Sequence, residues 1–163
     1  LRHADVIKLA NMAQLVNIIP PIFTSPDGLF LQTIFYPLQL HTCENGTIAL
    51  DAYSDSDCFE TERYGKVPYL DVSASYHPDL GRMSINLINR HRTDALPVEI
   101  ENQHGVLKES GLVFEISGED PKVINDFGKE NVKLTKREIV VSSNPFTVTL
   151  PPHSISMVQV YLG

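Results

Sequence analysis

The chain has 163 residues, 42% of them hydrophobic and 20% charged, proportions that suit one ordinary globular domain with a real core. Thirteen basic against twenty acidic side chains leave a formal charge of -7, which disfavours nucleic acid and anionic membrane as partners, since both reward clustered Lys and Arg. Two cysteines, Cys43 and Cys58, are too few for a disulfide scaffold and lack metal-ligand spacing, so they read as reduced thiols.

The opening Leu1-Arg2-His3-Ala4-Asp5 has no initiator Met and no charged-then-apolar leader, and it reads as a chain that begins inside a longer protein. Residues 1–44 are dense in Ile, Leu, Val and Phe and carry few charges. Within them, residues 6–16 suit a buried helix or a buried strand, and periodicity does not decide between the two. Asp5, Lys8, Asn11, Gln14 and Asn17 recur every third position and would wind around a helix without forming one wet face, so the segment expects neighbours on all sides. The apolar stretches 9–22 and 29–40 are broken by Asn, Gln and Pro, and neither reads as a membrane span. Pro20-Pro21 and Ser25-Pro26-Asp27-Gly28 mark a loop, and a short helix follows from 32 to about 41, with Pro37 near its first turn.

From Gly46 onward the pattern changes to period two. Leu70, Val72, Ala74 and Tyr76 alternate with polar residues, as do Met83, Ile85 and Leu87, then Val98 and Ile100, while Leu112, Phe114 and Ile116 enclose Val113 and Glu115. Phe146, Val148 and Leu150, and finally Val158, Val160 and Leu162, repeat the arrangement. Short half-buried strands at this spacing predict an antiparallel sandwich or barrel. The acidic run 51–62 lacks the glycine and ligand spacing of a calcium loop, Phe59 standing where a ligand is needed, and reads as solvated surface. Asn45-Gly46-Thr47 fits a glycosylation sequon but is the better turn signal. His153 and Ser154 are adjacent, which places their side chains on opposite faces of a strand and argues for a structural turn, not a nucleophilic pair. Nothing in the sequence asks for a metal or a cofactor.

Three stretches resemble family 51 glycoside hydrolases, the α-L-arabinofuranosidases. They are His3-Ala4-Asp5-Val6 running through Ala10-Asn11-Met12-Ala13-Gln14-Leu15-Val16-Asn17 to Pro21-Ile22-Phe23-Thr24; Gln32-Thr33-Ile34-Phe35-Tyr36-Pro37 with Val67-Pro68-Tyr69-Leu70-Asp71; and Asn131-Val132-Lys133 with the tail 146–154. The resemblance implies a mainly β fold: residues 1–45 as the last β/α unit of a (β/α)8 barrel, with residues 7–14 as its eighth strand, and 46–163 as a jelly-roll-like antiparallel β-sandwich. A barrel strand is covered on both faces, which accounts for its apolar character. Gln14 matches a glutamine that in this family binds the arabinofuranose, a task suited to an amide because it both donates and accepts. Retaining glycosidases need two carboxyl groups about 5 Å apart. In the family both are glutamates on earlier barrel strands, and no residue here matches either.

The resemblance therefore implies the C-terminal portion of a retaining enzyme that removes terminal arabinofuranosyl groups from arabinan- or arabinoxylan-type glycans. Its partners would be an arabinofuranosyl oligosaccharide, the catalytic barrel and further copies of itself, in the cytoplasm. The competing readings are a non-catalytic carbohydrate-binding module, which the absence of Trp disfavours, and a structural or assembly domain.

Overall fold

Alternating apolar and polar residues can bury one face only when strands pair side by side, and the chain does this repeatedly. A computed structural model describes residues 1–163. In chain order the elements are β1 (Ile22–Ser25), β2 (Gly28–Leu31), α1 (Phe35–Cys43), β3 (Ile48–Leu50), β4 (Cys58–Thr61), β5 (Gly65–Pro68) and β6 (Leu70–His77). They continue with β7 (Arg82–Asn89), β8 (Leu96–Ile100), β9 (Leu107–Ser117), β10 (Lys133–Val140), β11 (Phe146–Leu150) and β12 (Ser154–Leu162). Six strands form one antiparallel sheet in the order β10-β9-β12-β7-β6-β3, and β8 with β11 forms a two-stranded ribbon. β1–β2 and β4–β5 are separate hairpins.

The alternation decides what each face meets. Leu70, Ala74, Ile85, Leu87, Val113, Val158 and Val160 of the large sheet pack against Val98, Phe146, Val148 and Leu150 of the ribbon. Register supports this layer, since Phe146 pairs with Ile100, Val148 with Val98 and Leu150 with Leu96. Each fully buried Val, Leu, Ile or Phe among them contributes about 1.5–3 kcal/mol. The fold is the β-sandwich expected from the period-two strands, with one layer much larger than the other.

The opposite face of the large sheet is covered by α1. Tyr36 and Leu40 pack on Phe114, Ile116, Met157 and Val132. A nine-residue helix is too short to persist alone, so this contact holds it. Where α1 ends, the exposed carbonyls of its last turn need donors. Arg82 donates to the Glu44 carboxylate at 3.1 Å and to its carbonyl at 3.0 Å. The Ser84 hydroxyl donates to the same carbonyl at 2.7 Å, and the Gln159 amide donates to the carboxylate at 3.0 Å. The Asn45 side-chain oxygen accepts from Ser75 at 3.2 Å and from Asn86 at 3.0 Å. Ser75, Ser84, Asn86 and Gln159 are all buried. Gly46 follows directly, and a Cβ there would overlap the Tyr76 backbone, so the chain needs glycine at this crossing. Asn45-Gly46 thus serves as a close-packed joint between helix and sheet.

Four parts of the sequence reading meet different geometry. Residues 7–14 form no strand in this chain, and their side chains are exposed. A strand exists only beside a hydrogen-bonded neighbour, and no element of the chain lies along this one. The segment Ser25-Pro26-Asp27-Gly28, expected as loop, is the tight turn of the β1–β2 hairpin, with Ser25 opposite Gly28. Part of the acidic run is likewise ordered, as β4. The helix spans 35–43, a little later than expected. No helix is long and apolar enough to cross a membrane, and both cysteines are free and exposed.

Candidate substrate-binding site

Gln14 stands at the end of the exposed stretch 7–14, and its own side chain is exposed, with its amide in no hydrogen bond to the rest of the chain. Just beyond it the backbone becomes fixed. The Ile22 N–H donates to the Leu15 carbonyl at 3.3 Å, and the Asn17 N–H donates to the Ile22 carbonyl at 3.1 Å, giving a parallel bridge between Val16 and Ile22. The Asn17 amide donates to the Thr24 hydroxyl at 2.8 Å while its oxygen takes the Thr24 N–H at 2.7 Å. Asn17 and Ile19 reach this arrangement with φ of 63° and 50°. For β-branched Ile19 that region costs about 1–3 kcal/mol and persists only where surrounding structure imposes it. Gln14 is therefore tethered to the β1–β2 hairpin within a few residues.

The hairpin is in turn gripped by the sandwich. Asn125, 2% exposed, donates to the Leu31 carbonyl at 2.9 Å and to the Val132 carbonyl at 2.7 Å, and accepts the Val132 N–H at 2.8 Å. The Tyr36 hydroxyl donates to Glu130 at 3.1 Å. Burial first, and the Glu130 carboxylate second, push the Tyr36 phenol up to about 12. Phe23 and Phe30, cross-strand partners in the hairpin, stack with centroids 4.9 Å apart, and Phe127 meets Phe30 edge-on at 4.8 Å. At the other end of the opening segment, Arg2 pairs with Asp71 and donates to the Val72 carbonyl at 3.1 Å. Asp71 also pairs with Arg90.

The other sequence candidates have structural roles. His153 sits in the turn before β12 with φ 39°, its two ring nitrogens each 2.9 Å from a carbonyl oxygen, of Arg92 and of Gly118. The Ser154 hydroxyl donates to the Pro151 carbonyl at 2.7 Å, so the two side chains do not meet. Asn125, Phe30 and Phe127 escaped sequence reading, and Asn17 and Phe23 entered it only as parts of a pattern and a motif, without the contacts they make. The signals were a Phe on either side of Ser-Pro-Asp-Gly, and the Asp126-Phe127-Gly128 turn, but their meeting depends on the fold. What the site offers chemically is hydrogen bonding by the free Gln14 amide and stacking on the exposed Phe127 ring.

Comparison with known proteins shows the family. The family model described as the α-L-arabinofuranosidase C-terminal domain matches residues 1–154. An intracellular exo-α-(1→5)-L-arabinofuranosidase of Halalkalibacterium halodurans is 35% identical over 102 residues, covering 62% of this chain and 20% of that protein. An exo-α-(1→6)-L-arabinofuranosidase of Bifidobacterium longum is 32% identical over 167 residues, covering 98% of this chain and 32% of that protein. Among solved structures, the Thermotoga maritima α-L-arabinofuranosidase in complex with arabinose superposes with a TM-score of 0.88 at 28% identity, covering 99% of this chain and 35% of that one. The family 51 enzyme of Thermotoga petrophila gives 0.89 at 27% identity, covering 97% of this chain and 35% of that one. The chain spans about a third or less of the length of these relatives. With a family model running through nearly its whole length and neighbours that share its fold from end to end, the chain belongs to the α-L-arabinofuranosidase C-terminal domain family of the family 51 glycoside hydrolases.

Proposed function

We propose that this chain is the C-terminal portion of a retaining α-L-arabinofuranosidase acting on terminal non-reducing arabinofuranosyl groups of arabinan- or arabinoxylan-type glycans. In this reading residues 1–45 complete a catalytic barrel, Gln14 hydrogen-bonds the bound sugar, and residues 46–163 brace the barrel from outside. The observation that carries it is the unpaired amide of Gln14 at the end of an apolar segment that no part of this chain covers. Leu9 is 78% exposed and Ile19 86% exposed, a state that an adjoining parallel sheet would end. The two carboxyl groups that retention requires would come from other strands of that barrel. Relatives described as intracellular support a cytoplasmic site of action.

The kinetic test uses the whole enzyme, barrel included. Gln14→Ala should lower kcat/KM on every arabinofuranoside by roughly ten- to a hundred-fold, the effect of losing one or two hydrogen bonds to the sugar. Unchanged kcat/KM would remove Gln14 from the site. The 163-residue chain alone should leave an aryl arabinofuranoside intact, and turnover by it would overturn the assignment of the chemistry to the barrel.

A second reading, assembly, is favoured by the same exposed apolar segment, which could cover itself on another copy. In the whole enzyme this becomes homo-oligomerisation, and light scattering with and without residues 1–44 separates it from docking on the barrel alone.

A further inference from the structure

Phe127 is a large apolar side chain that remains 44% exposed, yet several bonds hold it in place. It sits at the tip of a two-residue turn closed from both sides, the Asp126 N–H donating to the Lys129 carbonyl at 3.0 Å and the Lys129 N–H to the Asp126 carbonyl at 2.9 Å. Gly128, at φ 69°, allows the turn its tight form, and the Asp126 carboxylate accepts the Phe127 N–H at 2.8 Å. Below the tip, the Asn131 amide donates to the Ile124 carbonyl at 2.7 Å and Asn125 bonds Val132 on both sides. The ring itself stands edge-on to Phe30, whose face stacks on Phe23. None of the three rings belongs to either hydrophobic core, so packing of the sandwich does not explain them.

Position supplies the explanation. Phe23 is the residue after Ile22, and Ile22 is the rung bonded to Leu15 and Asn17, one and three residues beyond Gln14. The aromatic strip therefore begins on the hairpin to which the Gln14 segment is tethered and leads away from it onto the sandwich. A flat apolar ring held rigid suits the C–H face of a pyranose or furanose ring, because little conformational freedom is lost when the sugar stacks. The chain's net charge of -7 is compatible with a neutral glycan.

We propose that Phe127, supported by Phe30, is the platform on which the leaving-group part of the glycan stacks, outside the pocket that holds the terminal arabinofuranosyl ring. This rests on the function proposed above and adds to it a role for the sandwich in choosing the substrate: it contacts the portion of the chain that departs. A glycan with several sugars reaches the platform, and a methyl glycoside does not.

The test measures Phe127→Ala, Phe127→Leu and Phe127→Tyr in the whole enzyme, on methyl α-L-arabinofuranoside and on a linear arabino-oligosaccharide. The Ala and Leu variants should raise KM for the oligosaccharide by roughly three- to ten-fold, the worth of one stacked ring, with kcat and the methyl glycoside unaffected. The Tyr variant, which keeps the flat face, should behave as the parent. Thermal midpoints within a few degrees of the parent establish that the variants are folded; since the ring lies outside both cores, that is the result expected. No change in KM, or an equal change for both substrates, would overturn the platform while leaving the arabinofuranosidase reading in place. If the parent enzyme cleaves neither compound, that reading falls and the platform with it.

Discussion

Asn125 shows how a single buried amide can join parts of the chain far apart in sequence. Its amide group donates twice and its oxygen accepts once, so the carbonyls of Leu31 and Val132 and the N–H of Val132 are all satisfied by one side chain. Replacing it with alanine leaves those three backbone groups unpaired away from water. Asn125→Ala should cost about 2–3 kcal/mol, read as a lower urea midpoint with unchanged slope. In the whole enzyme it should also raise KM, because the hairpin next to Gln14 loses its fixed end. Gln14 is the opposite case: exposed and unbonded within the chain, it adds nothing to stability here. Gln14→Ala should shift the melting midpoint of this chain negligibly while lowering kcat/KM of the whole enzyme by roughly ten- to a hundred-fold.

The element most open to perturbation is α1, which covers the outer face of the large sheet through two buried side chains and a polar network at its end. His41 lies in its last turn, its Nδ1 2.8 Å from the Asn45 amide nitrogen, which donates to the unprotonated ring. Desolvation holds His41 below its ordinary 6.5. The sign follows from proton binding. Between 6.5 and the lower native value the unfolded chain binds a proton that the native chain refuses, so stability falls as pH drops through that window. Denaturant midpoints measured on either side of 6.5 should show the loss on the acid side, and His41→Gln should flatten that part of the profile. A profile identical in both proteins would mean the ring is not the group responsible.

Legibility also differs by element. β6, β7, β8 and β11 were readable because one face of each meets a core and the other meets water or a polar layer, while β9 and β12, covered by the ribbon on one face and α1 on the other, kept enough alternation to be seen. β10 was not, since as an edge strand it carries Lys133, Lys136, Arg137 and Glu138 on a largely exposed surface, and such charges guard an open edge while erasing the alternation. β1, β2, β4 and β5 have four residues each, too few to show a period. Gln14 was legible only through family resemblance, because a lone amide in an apolar run has no signature of its own. Phe127 was hidden for another reason: a turn signal announces the bend and says nothing about Phe30, which the fold brings to it.

For the whole molecule, what matters is how residues 1–45 join the remainder. The last part of that span is built into the sandwich: α1 shares a core with β9 and β12, and Glu44 and Asn45 are bonded to β6, β7 and β12. The first part is held mainly by Arg2 at Asp71 and by the bridge at Val16, and exposes its apolar side chains in between. One end of the proposed barrel unit is thus fixed to the sandwich while the other waits for neighbours. The isolated chain should self-associate as its concentration rises, and removing residues 1–19 should restore a monodisperse monomer by light scattering. The sandwich would then orient the Gln14 segment through α1, the β1–β2 hairpin and Asn125, acting on the substrate site from outside the barrel.

The most direct measurement is a crystal structure of the whole enzyme with arabinose bound. Residues 7–14 should there be a strand hydrogen-bonded to parallel neighbours on both sides, with the Gln14 amide within about 3.2 Å of a sugar hydroxyl. This placement would be contradicted by an arabinose ring bound far from Gln14, or by that amide facing away from the pocket into helices packed around the barrel.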